Sequence, residues 1–183
     1  MTEWDNPPAD FTAVEAVRSR HRQAFRAAHG TSLTYLPFIA RATCLALAAF
    51  PLINARFDGT ALFPSADINL GIAVDVEKKD GSRTLMVPVI RDAGRLTFAE
   101  FKAAFDALID KARTNTLSAD DLVGANISLT NPGGIGTVAS VPRLMVGQGT
   151  IVATGSIAYP VGLGNVGAQV GAEKVISMTS TYD

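Results

Sequence analysis

The segment Ile127-Ser-Leu-Thr-Asn-Pro-Gly-Gly-Ile-Gly136 limits what this chain can fold into more than any other. A short β-prone run ends in a hydroxyl, Thr130, and Asn-Pro-Gly-Gly then breaks any regular element at once. From Leu122 to Ala172 the one charged residue is Arg143. So long an uncharged stretch belongs to a core, an interface or a channel wall, and a hydroxyl at the end of such a strand can face a substrate. A chain of 183 residues fits one domain with a real core. Its 48% hydrophobic content and mean hydropathy of +0.22 are rich for a monomer and point to apolar surface covered by a partner chain.

Several function classes drop out. The net charge is −1 with no basic block, which argues against nucleic-acid binding. No apolar run is long enough to span a membrane. Met1 to Pro8 lacks the charged head and apolar core of a signal peptide. The single cysteine, Cys44, excludes an internal disulfide, sits in an apolar helical run as packing, and fits a reducing, cytoplasmic setting. His21 and His29 stand among Arg18, Arg20, Arg22 and Arg26 and read as part of a solvated helix face. No His/Cys/Asp cluster has metal-ligand spacing. Gly162-Leu-Gly-Asn-Val-Gly167 spells G-x-G-x-x-G, but no helix onset follows and no acidic residue stands about 20 positions on, so it reads as a loop.

Along the chain, Thr12-Ala-Val-Glu15 reads as a capping box that opens a basic amphipathic helix to about His29, with Gly30 as its stop. A second helix is expected from about Tyr35 to Phe50, apolar nearly all round and therefore central. Hairpins are expected across Asp58-Gly59 and across Lys79-Asp-Gly81; the second joins Asn69–Val76 to Thr84–Ile90, with Pro88 at an edge or bulge. Thr97-Phe-Ala-Glu100 is another capping box, before a helix with Phe98, Phe101, Phe105, Leu108, Ile109 and Ala112 on one face and Lys and Asp opposite. Late strands are expected over 126–130, 150–158 and 174–181. Without regular βαβ alternation, the fold class is α+β, a mixed sheet flanked by helices. From residues alone this is a soluble, interface-prone domain with a substrate-facing hydroxyl at Thr130.

Five segments, in order, resemble the catalytic domain of the dihydrolipoamide acyltransferases of 2-oxoacid dehydrogenase complexes. They are Leu33-Thr-Tyr-Leu-Pro-Phe-Ile-Ala-Arg-Ala42, Phe50-Pro-Leu-Ile-Asn-Ala55, Asn69-Leu-Gly-Ile-Ala-Val-Asp75, Val87-Pro-Val-Ile-Arg-Asp-Ala93 and Ile127–Gly136. Thr137-Val-Ala-Ser-Val-Pro-Arg-Leu-Met145 and Thr179-Ser-Thr-Tyr-Asp183 are most similar to the succinyltransferase domain of the actinobacterial multifunctional 2-oxoglutarate dehydrogenase/decarboxylase, although Ala139 stands where that subgroup leads one to expect His.

The resemblance implies a chloramphenicol acetyltransferase-like fold, assembled as a homotrimer with active sites between subunits. It implies coenzyme A and a lipoyl group as substrates, with no tightly bound cofactor and no metal. Thiamine diphosphate and Mg would enter only through a decarboxylase domain following in the parent chain. Thr130 matches the hydroxyl that donates to the oxyanion, and Asn131, Gly133, Gly134, Ser140 and Arg143 are candidates for the coenzyme A channel. Expected partners are a lipoyl domain and the 2-oxoacid decarboxylase component. The family's catalytic histidine would follow Asp183 directly, so residues 1–183 are expected to be one acyltransferase domain truncated at both ends. A catalytically inert trimeric assembly domain is the alternative.

Overall fold

The computed structural model describes residues 9–77 and 80–183. Met1 to Pro8 and Lys79 of the expected turn lie outside the described residues.

Three helices carry the packing: α1 (Thr12–His29), α2 (Leu36–Ala49) and α3 (Phe98–Arg113). Among the described residues the strands are β1 (Ala9–Asp10), β2 (Ala55–Phe57), β3 (Leu62–Pro64), β4 (Leu70–Ile72), β5 (Val74–Glu77), β6 (Arg83–Met86), β7 (Val89–Ile90), β8 (Ile127–Thr130), β9 (Thr150–Thr154), β10 (Val175–Ile176) and β11 (Met178–Tyr182). Five of them form one mixed sheet in the order β11-β9-β8-β4-β7, parallel within β4-β8-β9 and antiparallel at both edges. Three two-stranded ribbons, β1-β10, β2-β3 and β5-β6, surround it. The mixed sheet flanked by helices is the architecture the sequence predicts.

The core lies between that sheet and the helices α2 and α3. Leu70, Ile72, Ile127, Leu129 and Val152 point to the helices, and Ile39, Cys44, Phe101, Phe105 and Leu108 meet them. Full burial of each such side chain contributes about 1.5–3 kcal/mol. Cys44 is wholly enclosed, and burial pushes its thiol up to about 11, as befits a packing residue. On the other sheet face, Ser128 donates to Gln148 at 2.7 Å and Thr181 donates to the Pro142 carbonyl at 2.7 Å, so the 137–148 segment covers that side.

Several local expectations hold. Thr97 and Glu100 close a reciprocal capping box at the start of α3. Gly30 ends α1 in the left-handed region, and Gly59, also at positive φ, turns the β2-β3 hairpin. The Gly162–Gly167 run forms a 3-10 turn, Gly164–Val166, with no helix after it.

Four expectations are corrected. Phe11, not Thr12, occupies the N-cap position of α1, and Glu15 turns instead to Arg18, at 2.7 and 3.0 Å, and to Ser19 and Tyr35. Partners on the same helix, together with Tyr35, have outcompeted the capping box. The run Asn69–Val76 is not one strand. It splits at Ala73, whose N–H donates to Leu129, so β4 joins the main sheet while β5 and β6 leave it as a separate ribbon; Pro88 sits just before the edge strand β7. The helix α2 is not enclosed all round. Its outer side leaves Leu45 and the following Phe50, Leu52 and Ile53 exposed, beside Phe57, Leu62 and Phe63 of the β2-β3 ribbon. An apolar groove of about 480 Å³ runs between α2 and β11, walled by Phe38, Ala46, Leu47, Val152 and Met178. Finally, Lys102 does not face solvent. It is 2% exposed, paired with Asp106, bonded to Thr31 at 3.3 Å and 5.3 Å from the Phe25 ring centre, which ties α1 to α3.

The Arg18 guanidinium lowers the Glu15 carboxyl to about 2 despite an opposing effect of burial. A depressed carboxyl stabilises the fold fully above its unfolded value near 4.5 and loses that contribution as pH falls toward 2. Glu15→Gln is therefore expected to flatten the fall of Tm between about pH 4.5 and 2. An unchanged acid slope in thermal melts would show that the Glu15-Arg18-Tyr35 cluster adds nothing to the fold.

Candidate active site

Thr130 closes β8. Alternation along the strand puts Ile127 and Leu129 in the core and turns Ser128 and Thr130 to the opposite face. Ala153 lies beside Thr130 on β9, and Thr179 beside Ala153 on β11. Of the other threonines of this sheet, Thr150 donates to Ile53, Thr179 to Ser140 and Thr181 to Pro142, while the hydroxyl of the buried Thr154 has no hydrogen-bond partner among the described residues. Thr130 is half-buried, and no such bond engages its hydroxyl among the described residues. It is free to donate to a bound molecule.

The turn after it is built by contact rather than by flexibility. Asn131 accepts from the Gly133 N–H at 3.1 Å, Pro132 opens a 3-10 turn (Pro132–Ile135), and Gly136 closes it at φ 92°. A Cβ on Gly133 would stand 2.1 Å from the Gly155 carbonyl oxygen, and one on Gly155 would stand 1.7 Å from that of Val138. The Ser156 N–H donates to Thr137 at 2.8 Å. The segments leaving β8 and β9 thus interlock with no room for side chains.

Asn131, Gly133 and Gly134 line a cavity of about 450 Å³, with Tyr35, Arg113 and Ser156 as further polar walls over an apolar floor. No carboxylate of the described residues lines it. Burial raises the Tyr35 phenol, and its hydroxyl donates to Glu15, so Tyr35 stays neutral at the cavity wall. Thr130 itself lies next to this cavity on the other sheet face. Ser140 and Arg143 are further away. They belong to the strap over that face, where the Ser140 carbonyl accepts from Thr179 and Arg143 is exposed. Ala139 is exposed on the same strap. Sequence reasoning missed Tyr35, Arg113 and Ser156; Tyr35 could have been noticed in Leu33–Ala42, whereas Arg113 carried no signal. His21 and His29 are exposed on α1 and line neither wall.

The opposite end of the sheet is anchored by Asp183. Its N–H donates to the Gly149 carbonyl at 3.1 Å, and its carboxylate accepts from Phe57 N–H at 2.9 Å. β11 runs antiparallel to β9, with Tyr182 beside Thr150 and Thr179 beside Ala153. Asp183 is therefore four residues along β11 from the Thr130 level, roughly 13 Å at the usual rise of a strand.

Comparison with known proteins identifies the scaffold. The family model described as 2-oxoacid dehydrogenases acyltransferase (catalytic domain) matches residues 7–183. The 2-oxoglutarate dehydrogenase E1/E2 component of Corynebacterium glutamicum is 40% identical over 163 residues, covering 84% of this chain and 13% of that protein. The chain thus spans about an eighth of the length of that relative. Dihydrolipoamide acetyltransferase of Azotobacter vinelandii has a TM-score of 0.80 at 28% identity, covering 98% of this chain and 74% of that one. The cubic core of a pyruvate dehydrogenase multienzyme complex has a TM-score of 0.77 at 28% identity, covering 96% and 72%.

Proposed function

This chain belongs to the family of 2-oxoacid dehydrogenase acyltransferase catalytic domains, and from that membership we propose that it serves coenzyme A-dependent transfer of a succinyl group between dihydrolipoamide and coenzyme A in 2-oxoglutarate oxidation. The observation that carries the reading is Thr130: a hydroxyl at the end of an uncharged strand, without a hydrogen-bond partner among the described residues.

The chemistry follows from that hydroxyl. A thiol sulfur attacks the thioester carbonyl carbon while its proton passes to a base, for which imidazole has the right affinity near neutral pH. The former carbonyl oxygen becomes negative, and Thr130 donates to it. Collapse of the intermediate breaks the original C–S bond, and the departing sulfur takes the proton back. His21 and His29 are poorly placed for the base. We assign the base to a neighbouring copy of the chain, so that the site is shared between subunits.

The exposed apolar side chains of α2 and the β2-β3 ribbon supply surface for such assembly, and a homotrimer is the form we assign. A lipoyl domain and the decarboxylase component are the partners that would deliver and load the acyl group in the cytoplasm. No helix among the described residues is long and apolar enough to cross a membrane. The same apolar surface favours a second reading, a scaffold domain that assembles without chemistry.

The test uses the protein that carries this chain and measures transfer to dihydrolipoamide from succinyl-coenzyme A and from acetyl-coenzyme A. Faster succinyl transfer is expected. Equal or faster acetyl transfer would remove the succinyl assignment. No transfer from either donor, by a protein that still sediments as a trimer, would leave the scaffold reading.

A further inference from the structure

The helix α1 is attached to the rest of the domain less firmly than α2 and α3. Six residues of α2 and five of α3 are buried, whereas none of the eighteen residues of α1 is. Its inward side is carried by Val14, Glu15, Arg18 and Phe25, each only half-buried. α2 and α3 pack on each other more extensively than either packs on α1. A helix of this length is marginal in water unless tertiary packing supports it. Arg18, Arg22 and Arg26 also follow one another at four-residue steps, a spacing at which like charges repel.

Two polar clasps tie α1 to the body. Near its start, Glu15 accepts from the Tyr35 hydroxyl, and the Arg18 guanidinium stands 4.4 Å from the centre of the Tyr35 ring. Near its end, the Phe25 ring lies 5.3 Å from the Lys102 ammonium, which donates to Thr31 at 3.3 Å. Lys102 is 2% exposed, so its charge is held out of water at a cost that is relieved as soon as Phe25 lifts. The chain is anchored on both sides of the helix. Phe11 and Leu33 are buried, and Asp10 pairs with Val175.

We propose that α1 is an order–disorder gate: it melts as one unit between the anchors Phe11 and Leu33, while the sheet, α2 and α3 stay folded, and its melting releases Tyr35. Tyr35 lines two cavities, that of Asn131, Gly133 and Gly134 and a second of about 470 Å³ shared with Glu15, Tyr159 and Lys174. With α1 folded, Glu15 holds the phenol in that common wall. With α1 melted, the hydroxyl loses its acceptor and the second cavity loses the Glu15 part of its lining. The gate is a property of the fold and does not depend on acyl transfer.

The experiment is hydrogen exchange read by mass spectrometry on the protein carrying this chain, with nitration of tyrosines by tetranitromethane as a second readout. In the wild type the amides of α1 should share one exchange rate, about 100-fold faster than those of α2 and α3. Ile127→Val thins the core beneath α2 and α3. It should speed exchange in those two helices about three- to ten-fold and leave α1 unchanged, because α1 opens without disturbing the sheet. Tyr35→Phe removes a hydrogen bond to a charged carboxylate and should speed α1 about ten-fold. Arg22→Glu turns repulsion into attraction toward Arg18 and Arg26 and should slow α1 about three-fold. Nitration of Tyr35 should follow the α1 rate, unchanged by Ile127→Val and slowed by Arg22→Glu, while the exposed Tyr182 reacts alike in both.

Equal acceleration of α1, α2 and α3 by Ile127→Val overturns the gate, because α1 would then open only with the whole domain. Rates that fall off from the helix ends inward overturn it too, since that is fraying and not the melting of a unit. Nitration of Tyr35 that ignores Arg22→Glu also overturns it, because Tyr35 would then be reached without α1 moving.

Discussion

Thr130→Ala in the assembled enzyme is expected to lower kcat for acyl transfer between thiols by about 10²–10³, with KM for both thiols changed less than about three-fold. The hydroxyl makes no internal hydrogen bond among the described residues, so its removal should cost the fold little. Its proposed work begins only when the carbonyl oxygen becomes negative, and a donor of that kind acts on the transition state rather than on bound substrate. Thr130→Ser keeps the donor and should recover most of the rate. Stopped assays of both variants, with thermal melts alongside, check the prediction. A Thr130→Ala rate within about ten-fold of wild type would remove Thr130 from the chemistry.

Gly155→Ala should destabilise the protein by about 3 kcal/mol, at the upper end of what overpacking costs. The added methyl would stand 1.7 Å from the Val138 carbonyl oxygen and 3.4 Å from that of Thr137, and backbone cannot rotate away as a side chain can. For a chain of this size the fall in Tm should be roughly 6–12 °C. The activity should fall further than the stability predicts, because Gly155 also presses on Gly133 and so fixes the turn after Thr130. Denaturant unfolding and kinetics on the same preparation separate the two effects. A variant with wild-type Tm would mean that the strap at Val138 gives way easily and that the interlock does not position Thr130.

The parts of the fold legible in the sequence are those decided by near neighbours. Thr97 and Glu100 form their box because no other group competes for them, and Gly59 turns its hairpin because Asp58 accepts from Thr60 and Ala61 at once. Where a distant residue intervenes, local reading fails. Glu15 has the spacing of a cap but is taken by Arg18 and by Tyr35, twenty residues on. Lys102 has the spacing of a solvated face but is covered because Phe25 folds over it and Asp106 neutralises it. The split at Ala73 depends on a hydrogen bond to Leu129, which no window around residue 73 contains. The strand end at Thr130 was legible because a β-prone run meets Asn-Pro-Gly-Gly there.

The strand order also has a bearing on how the molecule comes into being. The central strand β8 joins β4, made more than fifty residues earlier, to β9, made about twenty later, and β11 closes the edge later still. During synthesis α2 leaves the ribosome with its apolar side formed and its sheet still unwritten. Leu70 and Ile72 must wait for Ile127 and Leu129, and those for Val152. Parallel pairing over such separations is slow, and hydrophobic surface stays open while it waits. The folding chain is thus most open to aggregation after β4 is made and before β8 is, and a chaperone that shields α2 and β4 in that interval would act where the topology leaves the longest gap.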